Sequence, residues 1–147
     1  MKKKVIYYSK TGNTQSVAER LAAVLNADIE PIVAVSDDPN IYDVELISNP
    51  HIEGFDHLIF GSPVHGFSVS KIMNAYLNQL SNLKGKTIDL YITHFFPYAW
   101  MGGTRSLKQM KNIIEHKGGS VRFMTSINWK NKNRENDIIE MITRYNK

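Results

Sequence analysis

Ser9-Lys10-Thr11-Gly12-Asn13-Thr14 brings three hydroxyls, one cation and a glycine together in six residues. It stands between an apolar run, Val5-Ile6-Tyr7-Tyr8, and an amphipathic pattern that opens at its end. A buried strand, a hydroxyl-rich turn and a helix N-terminus make an anion site, because the first helical N–H groups lack partners and the helix dipole favours negative charge there. Gly12 permits a tight turn and close backbone approach, and Ser9, Thr11 and Thr14 each offer a hydroxyl donor. The spacing is not that of a P-loop, and no Gly-x-Gly-x-x-Gly occurs in the chain. Phosphate is therefore expected to be held by neutral hydrogen bonds, the dipole and Lys10. The alternative is a helix capped by Asn13 or Thr14, with no ligand.

Two further segments carry chemistry. In Gly61-Ser62-Pro63-Val64-His65-Gly66-Phe67, Pro63 stiffens the backbone and the glycines let it approach something flat. Thr93-His94-Phe95-Phe96-Pro97-Tyr98-Ala99-Trp100 packs four aromatics and a histidine into eight residues, ahead of Met101-Gly102-Gly103. An exposed apolar patch of that kind marks a ligand or an interface, and aromatic faces stack on planar groups. The plainer alternatives are a tight strand-to-helix connection and a loop folded onto its own core.

These segments need a frame. Apolar runs at residues 4–8, 29–33, 57–60, 87–93 and 120–126 predict five strands. Most are near-continuously apolar, as strands buried on both faces are; the second and fifth are less so, which suits sheet edges. Helical spacing links Val17, Leu21, Val24 and Leu25, then Ile72, Met73, Tyr76, Leu77 and Leu80. It recurs in Leu107, Met110, Ile113 and Ile114, which stop at Gly118-Gly119, and in Ile138, Ile139, Ile142 and Tyr145. Strands alternating with such helices predict a single α/β domain over 1–147, a parallel sheet with helices on both faces. Residues 34–56 fit least well; 41–48 read either as a short strand or as a distorted helix. In such sheets ligands bind beyond the carboxyl ends of the strands, where strand order reverses. The three segments follow strands 1, 3 and 4, neighbours in a 2-1-3-4-5 sheet. Together they describe a ligand with a phosphate at one end and a flat ring at the other, and flavin mononucleotide (FMN) fits.

Composition narrows the classes. There is no cysteine among the 147 residues, which excludes disulfides, thiolate catalysis and iron–sulfur clusters. The basic start, Met1-Lys2-Lys3-Lys4, leads into no long apolar stretch, so neither a signal peptide nor a membrane span is expected, and the cytoplasm is the expected location. Residues 1–104 hold 8 Lys/Arg against 10 Asp/Glu, a charge of −2, whereas 105–147 hold 10 against 4, a charge of +6. Such asymmetry marks either a basic docking face or a pair of solvated helices.

The strand followed by Tyr8-Ser9-Lys10-Thr11-Gly12-Asn13-Thr14 resembles the phosphate-loop signature of flavodoxins, and Phe60-Gly61-Ser62-Pro63-Val64-His65-Gly66 resembles their second flavin loop. The segment from Thr93 to Trp100 occupies the place of the third, and the likeness spans essentially the whole chain at short-chain length. The resemblance implies a flavodoxin-like three-layer sandwich with a five-stranded parallel sheet in order 2-1-3-4-5. It also implies one non-covalent FMN and electron transfer between redox partners. On it, Ser9, Lys10, Thr11, Gly12, Asn13 and Thr14 hold the phosphate. Ser62, Pro63, Val64, His65 and Gly66 contact the ribityl chain and ring. Thr93, His94, Phe95, Phe96, Tyr98 and Trp100 cover the ring's other side. It further implies that a backbone carbonyl near Gly66 rotates to meet the reduced ring.

The chain departs from the family's pattern in its pI near 9.2, in Val64-His65 where many members carry tryptophan, and in a third loop without a carboxylate. These departures predict a potential higher than that of acidic flavodoxins and sensitive to pH around neutrality through His65 and His94. Acidic redox partners are expected on the basic C-terminal third. Two other readings stay open: an FMN-dependent quinone or porphyrinogen oxidoreductase, and a flavin-free binding module using Arg122, Lys130, Lys132, Arg134 and Arg144, for which no nucleic-acid motif is present.

Overall fold

Alternation of strands and helices along the chain gives a parallel sheet whose order reverses once. The computed structural model describes residues 1–38, 40–96 and 102–147. In chain order its elements are β1 (Lys3–Tyr7), α1 (Asn13–Leu25), β2 (Asp28–Pro31), β3 (Val33–Ala34), β4 (Leu46–Ser48) and β5 (His57–His65). There follow β6 (Ser68–Val69), α2 (Lys71–Gln79), β7 (Thr87–His94), α3 (Gly103–His116), β8 (Ser120–Asn128) and α4 (Arg134–Tyr145). The five long strands pair in parallel in the order β2-β1-β5-β7-β8, the predicted 2-1-3-4-5.

Successive strand residues point to opposite faces, and each face has its own core. Ile6, Leu58, Phe60, Leu90 and Ile92 pack against Met73 and Tyr76 of α2 and Met110 and Ile114 of α3. Val5, Tyr7, Ile59 and Tyr91 pack against Val17 and Leu21 of α1 and Ile138 and Met141 of α4. The edge strands β2 and β8 are the exposed ones, as their mixed composition predicts.

Several boundaries differ from the sequence reading. The second strand ends at Pro31, and Val33–Ala34 turns away to pair antiparallel with Leu46–Ser48, which resolves 41–48 in favour of a short strand. The third strand runs five residues past Phe60, to His65. Pro63 does not stop it, because β1 pairs with β5 only as far as Gly61, so the missing N–H beyond that point faces no strand. Val24 and Ile139, read as core positions, are exposed.

At the other end of the sheet, Asp89 is fully buried and bonded to His57 Nε2 (2.6 Å), Arg122 Nη2 (2.7 Å) and the Phe123 N–H (3.0 Å). Arg122 stands at a register shift between β7 and β8, so this charge cluster pins the edge strand.

Candidate functional site

The carboxyl ends of β1, β5 and β7 lie side by side and carry the three segments. After β1, the Tyr8 N–H bonds to the Gly61 carbonyl (3.1 Å) and the chain turns at Gly12, whose φ of 97° is left-handed. Gly12 is itself the N-cap of α1, and no side chain caps the helix. Asn13 and Thr14 are therefore not the cap, and the first-turn N–H groups stay open. Ser9 Oγ accepts from the Gly12 N–H (3.1 Å), which closes the turn. Lys10 and Thr11 are exposed.

Thr14 is buried and ties this loop to the sheet. Its Oγ1 bonds Thr93 Oγ1 (2.8 Å), and its carbonyl accepts from the Tyr91 hydroxyl (2.8 Å). Tyr91 reaches that carbonyl across Gly61, where an added Cβ would lie 2.1 Å from the tyrosine ring. Gly61 thus makes room for the phenol that fixes the start of α1. Sequence reasoning missed Tyr91, since a tyrosine in an apolar strand reads as core; the glycine ahead of Ser62 was the available signal.

The second segment is a hairpin rather than a loop. Val64 pairs with Val69 and His65 with Ser68, across a two-residue turn of Gly66 and Phe67 with φ of 56° and 64°. Positive φ at both central residues is the type I′ geometry that fits strand twist. For phenylalanine that conformation costs about 1–2 kcal/mol. Behind the turn, Gly102 (φ 117°) leaves space that a Cβ would lack, at 2.6 Å from the Phe67 Cα. The N-terminus of α3 therefore seats directly on the hairpin tip. Ser62 is buried, its hydroxyl donating to the Pro63 carbonyl (2.9 Å) and bonded to Ser70 Oγ (3.0 Å), which in turn caps α2 by accepting from the Met73 N–H. Pro63, Val64 and His65 are half-buried, and Gly66 is exposed.

From the third segment, Thr93 and His94 are buried in β7. His94 Nδ1 donates to the Phe96 carbonyl (2.9 Å), and its ring stacks on the Phe96 ring (4.6 Å). Phe96 also meets the Phe67 ring (5.8 Å), while Phe67 and Phe95 stand 55% and 49% exposed. An aromatic rim thus joins hairpin and third segment, with Phe67, the last residue of the second segment, at its centre. Tyr98 and Trp100 lie outside the described residues.

Burial, then the Lys10 charge, hold His65 below its ordinary value against an opposing pull from Asp37; burial likewise lowers His94. Both rings therefore titrate on the acid side of the ordinary histidine range. Tyr8 edges against the His65 ring (6.1 Å), and its buried hydroxyl has no partner among the described residues. In the basic third, Arg122 is committed to Asp89, Arg134 stacks over Trp129 and donates to its carbonyl, and Arg144 lies over Phe123. Lys130 and Lys132 are exposed. Among the described residues no helix is long and apolar enough to cross a membrane.

Residues 4–133 match the family model described as a flavodoxin domain. No curated protein matches the chain. Among solved structures, a flavodoxin of Streptococcus pneumoniae superposes with a TM-score of 0.71 at 17% identity, over 99% of this chain and 95% of that one. A flavoprotein of Lactobacillus acidophilus, solved in complex with FMN, gives 0.67 at 16% identity over 85% and 92%. Oxidised flavodoxin 1 of Bacillus cereus gives 0.66 at 16% identity over 99% and 97%.

Proposed function

Because the chain belongs to the flavodoxin domain family, we infer that it binds FMN non-covalently beyond β1, β5 and β7 and passes electrons between redox partners. The observation that carries this reading is the start of α1, a left-handed glycine cap with no side-chain cap, anchored from beneath by Tyr91 and Thr93. An uncapped helix N-terminus held this firmly is built for an external acceptor. The unpartnered Tyr8 hydroxyl, buried beside the same loop, also fits a polar ligand.

Ser9, Lys10, Thr11, Gly12, Asn13 and Thr14 hold the phosphate, chiefly through backbone N–H groups, because the Thr14 hydroxyl is already engaged. Pro63, Val64, His65 and Gly66, with Ser62 bracing them from behind, line the ribityl chain and one side of the ring. Thr93, His94, Phe95 and Phe96 are assigned to the other side of the ring, and Tyr98 and Trp100 join them by their place in the sequence. Bound flavin supplies the reversible electron acceptor; the protein supplies orientation and local charge. With no carboxylate in residues 93–103 and a lysine at the phosphate loop, the potential lies above that of acidic relatives. The basic C-terminal third steers an acidic partner.

Purification tests the reading. A yellow protein whose flavin, released by denaturation, is FMN supports it; a colourless protein that takes up no added FMN overturns it.

A further inference from the structure

The two edges of the sheet are finished differently. β2 offers four residues and ends on Pro31, whereas β8 runs nine residues, Ser120–Asn128, with no strand beyond it among the described residues. The Phe123 and Trp129 N–H groups both face β7, at Asp89 Oδ1 (3.0 Å) and the His94 carbonyl (2.7 Å). Backbone polar groups alternate in direction along a strand, so those of Met124 and Ser126 point outward, where they meet no partner among the described residues. The Met124 side chain on this strand is 39% exposed. The flanks of the edge are basic. Gln109 and Lys117 tie one flank of α3 to β6 and α2, accepting from the Val69 N–H (3.0 Å) and donating to the Asn78 carbonyl (2.8 Å). The opposite flank of α3, with Lys108, Lys111 and Glu115, therefore lies along β8. Among the described residues neither Lys108 nor Lys111 is ion-paired. On the other face Arg144 of α4 donates to Thr125 Oγ1 (3.3 Å) and lies over the Phe123 ring. Asp137, two turns before Arg144, is engaged by Asn131 Nδ2 (3.2 Å).

We propose that the outer edge of β8 docks an acidic segment of a partner protein, which adds to the sheet as a further strand beside the charges of Lys108, Lys111 and Arg144. This deepens the reading of the basic C-terminal third as a surface for acidic partners, and rests on it. An open edge binds an incoming strand through its backbone, and the flanking side chains select which strand. A second copy of this chain is the wrong occupant. Pairing β8 with itself about a two-fold axis would set lysine and arginine against their like. The shift in register at Arg122 also twists the edge away from a flat match between two rigid sheets. A flexible acidic segment meets no such repulsion, follows the twist, and covers Met124 with its own apolar residues. The Trp129 bond to His94 ends this edge against the third segment, so a partner docked along β8 is delivered to the carboxyl end of β7.

The probe is a peptide of alternating valine and glutamate, matched to the nine residues of β8 and blocked at both ends. It is titrated into the purified protein at low salt and followed by amide NMR. The signals of residues 120–126 are expected to shift, hydrogen exchange at Met124 and Ser126 to slow, and affinity to fall as salt is added. The counterpart with lysine in place of glutamate should not bind. Nor should the glutamate peptide N-methylated at alternate residues, which cannot complete the ladder. Lys108→Glu combined with Lys111→Glu is expected to weaken binding about fivefold or more, while Lys2→Glu, beside β1, leaves it unchanged. No binding of the glutamate peptide, equal binding of the lysine peptide, indifference to N-methylation, or shifts confined to another surface overturns the proposal. Self-association through β8 in sedimentation overturns it too. Flavin content, measured on the same sample, keeps the two readings apart. FMN-loaded protein that ignores the peptide sinks the docking edge and leaves the flavin. Protein that cannot be loaded with FMN, yet takes the peptide at β8, keeps the edge and sinks the flavin.

Discussion

Residues 9–14 and the Gly66-Phe67 turn cap neighbouring strands, yet they are held by different means. Beneath the first lie two buried hydrogen bonds, from the Tyr91 hydroxyl and between Thr14 and Thr93, both reaching from β7. The second is bent by a left-handed phenylalanine, pressed on one side by Gly102 and finished by exposed rings. Buried bonds of this kind fix a position because losing a partner strands a polar group in the core. A strained turn with exposed apolar surface is held in place by its surroundings and is the easier of the two to move. The 9–14 loop is thus the more firmly anchored of the two, and the Gly66-Phe67 turn the easier to displace.

The largest disruption is expected from Gly61→Ala. Its Cβ would meet the Tyr91 ring at 2.1 Å, so tyrosine must leave Thr14 or β5 must shift. A loss of about 3 kcal/mol or more in chemical denaturation is expected, as for severe overpacking, together with loss of sulfate and FMN binding. Gly102→Ala attacks the other end, where the new Cβ would lie 2.6 Å from the Phe67 backbone at a φ that L-residues avoid. It should cost about 2 kcal/mol and weaken flavin binding, while sulfate affinity at the 9–14 loop stays unchanged. Equal damage to both ligands would mean that the two ends are not independent.

Tyr91→Phe is milder. It removes one buried hydrogen bond, about 1–1.5 kcal/mol, and leaves the Thr14 carbonyl with its helical partner alone. FMN affinity should fall with stability, whereas riboflavin, which lacks the phosphate, should be affected less. The smallest effect is that of pH. Because His65 and His94 are held below their ordinary value of 6.5 in the folded protein, the unfolded chain binds more protons as pH falls through 6.5. Stability of the ligand-free protein should therefore decline from neutrality toward the folded-state values and level off below them. Asp89 adds a separate loss only at stronger acid, since its paired carboxylate is held below 3.8. Denaturant midpoints measured at pH 7.5 and 5.5, in wild type and His65→Gln, check the first decline.

The same contrast governs what the sequence made legible. Strand order, both cores and the turn that opens α1 follow from apolar runs, helical spacing, and the hydroxyls around Gly12. The hairpin does not, because Pro63 reads as a strand breaker unless it is known that β1 ends opposite Gly61. Nor does a turn of Gly66-Phe67 carry the usual asparagine–glycine signature. Gly61, Gly102 and Tyr91 act through contacts to residues 30 or more positions away, which no spacing within one segment displays. The Asp89–His57–Arg122 cluster was equally hidden, since a lone aspartate in an apolar strand gives no hint of its two partners.

Affinity for FMN measured against affinity for riboflavin, by quenching of flavin fluorescence at neutral pH, tests the central claim most directly. FMN is expected to bind about tenfold or more tightly, as charge-assisted bonds to a phosphate are worth about 1.5–3 kcal/mol. Equal affinity for the two flavins, or binding of neither, would contradict an anchored phosphate site at residues 9–14.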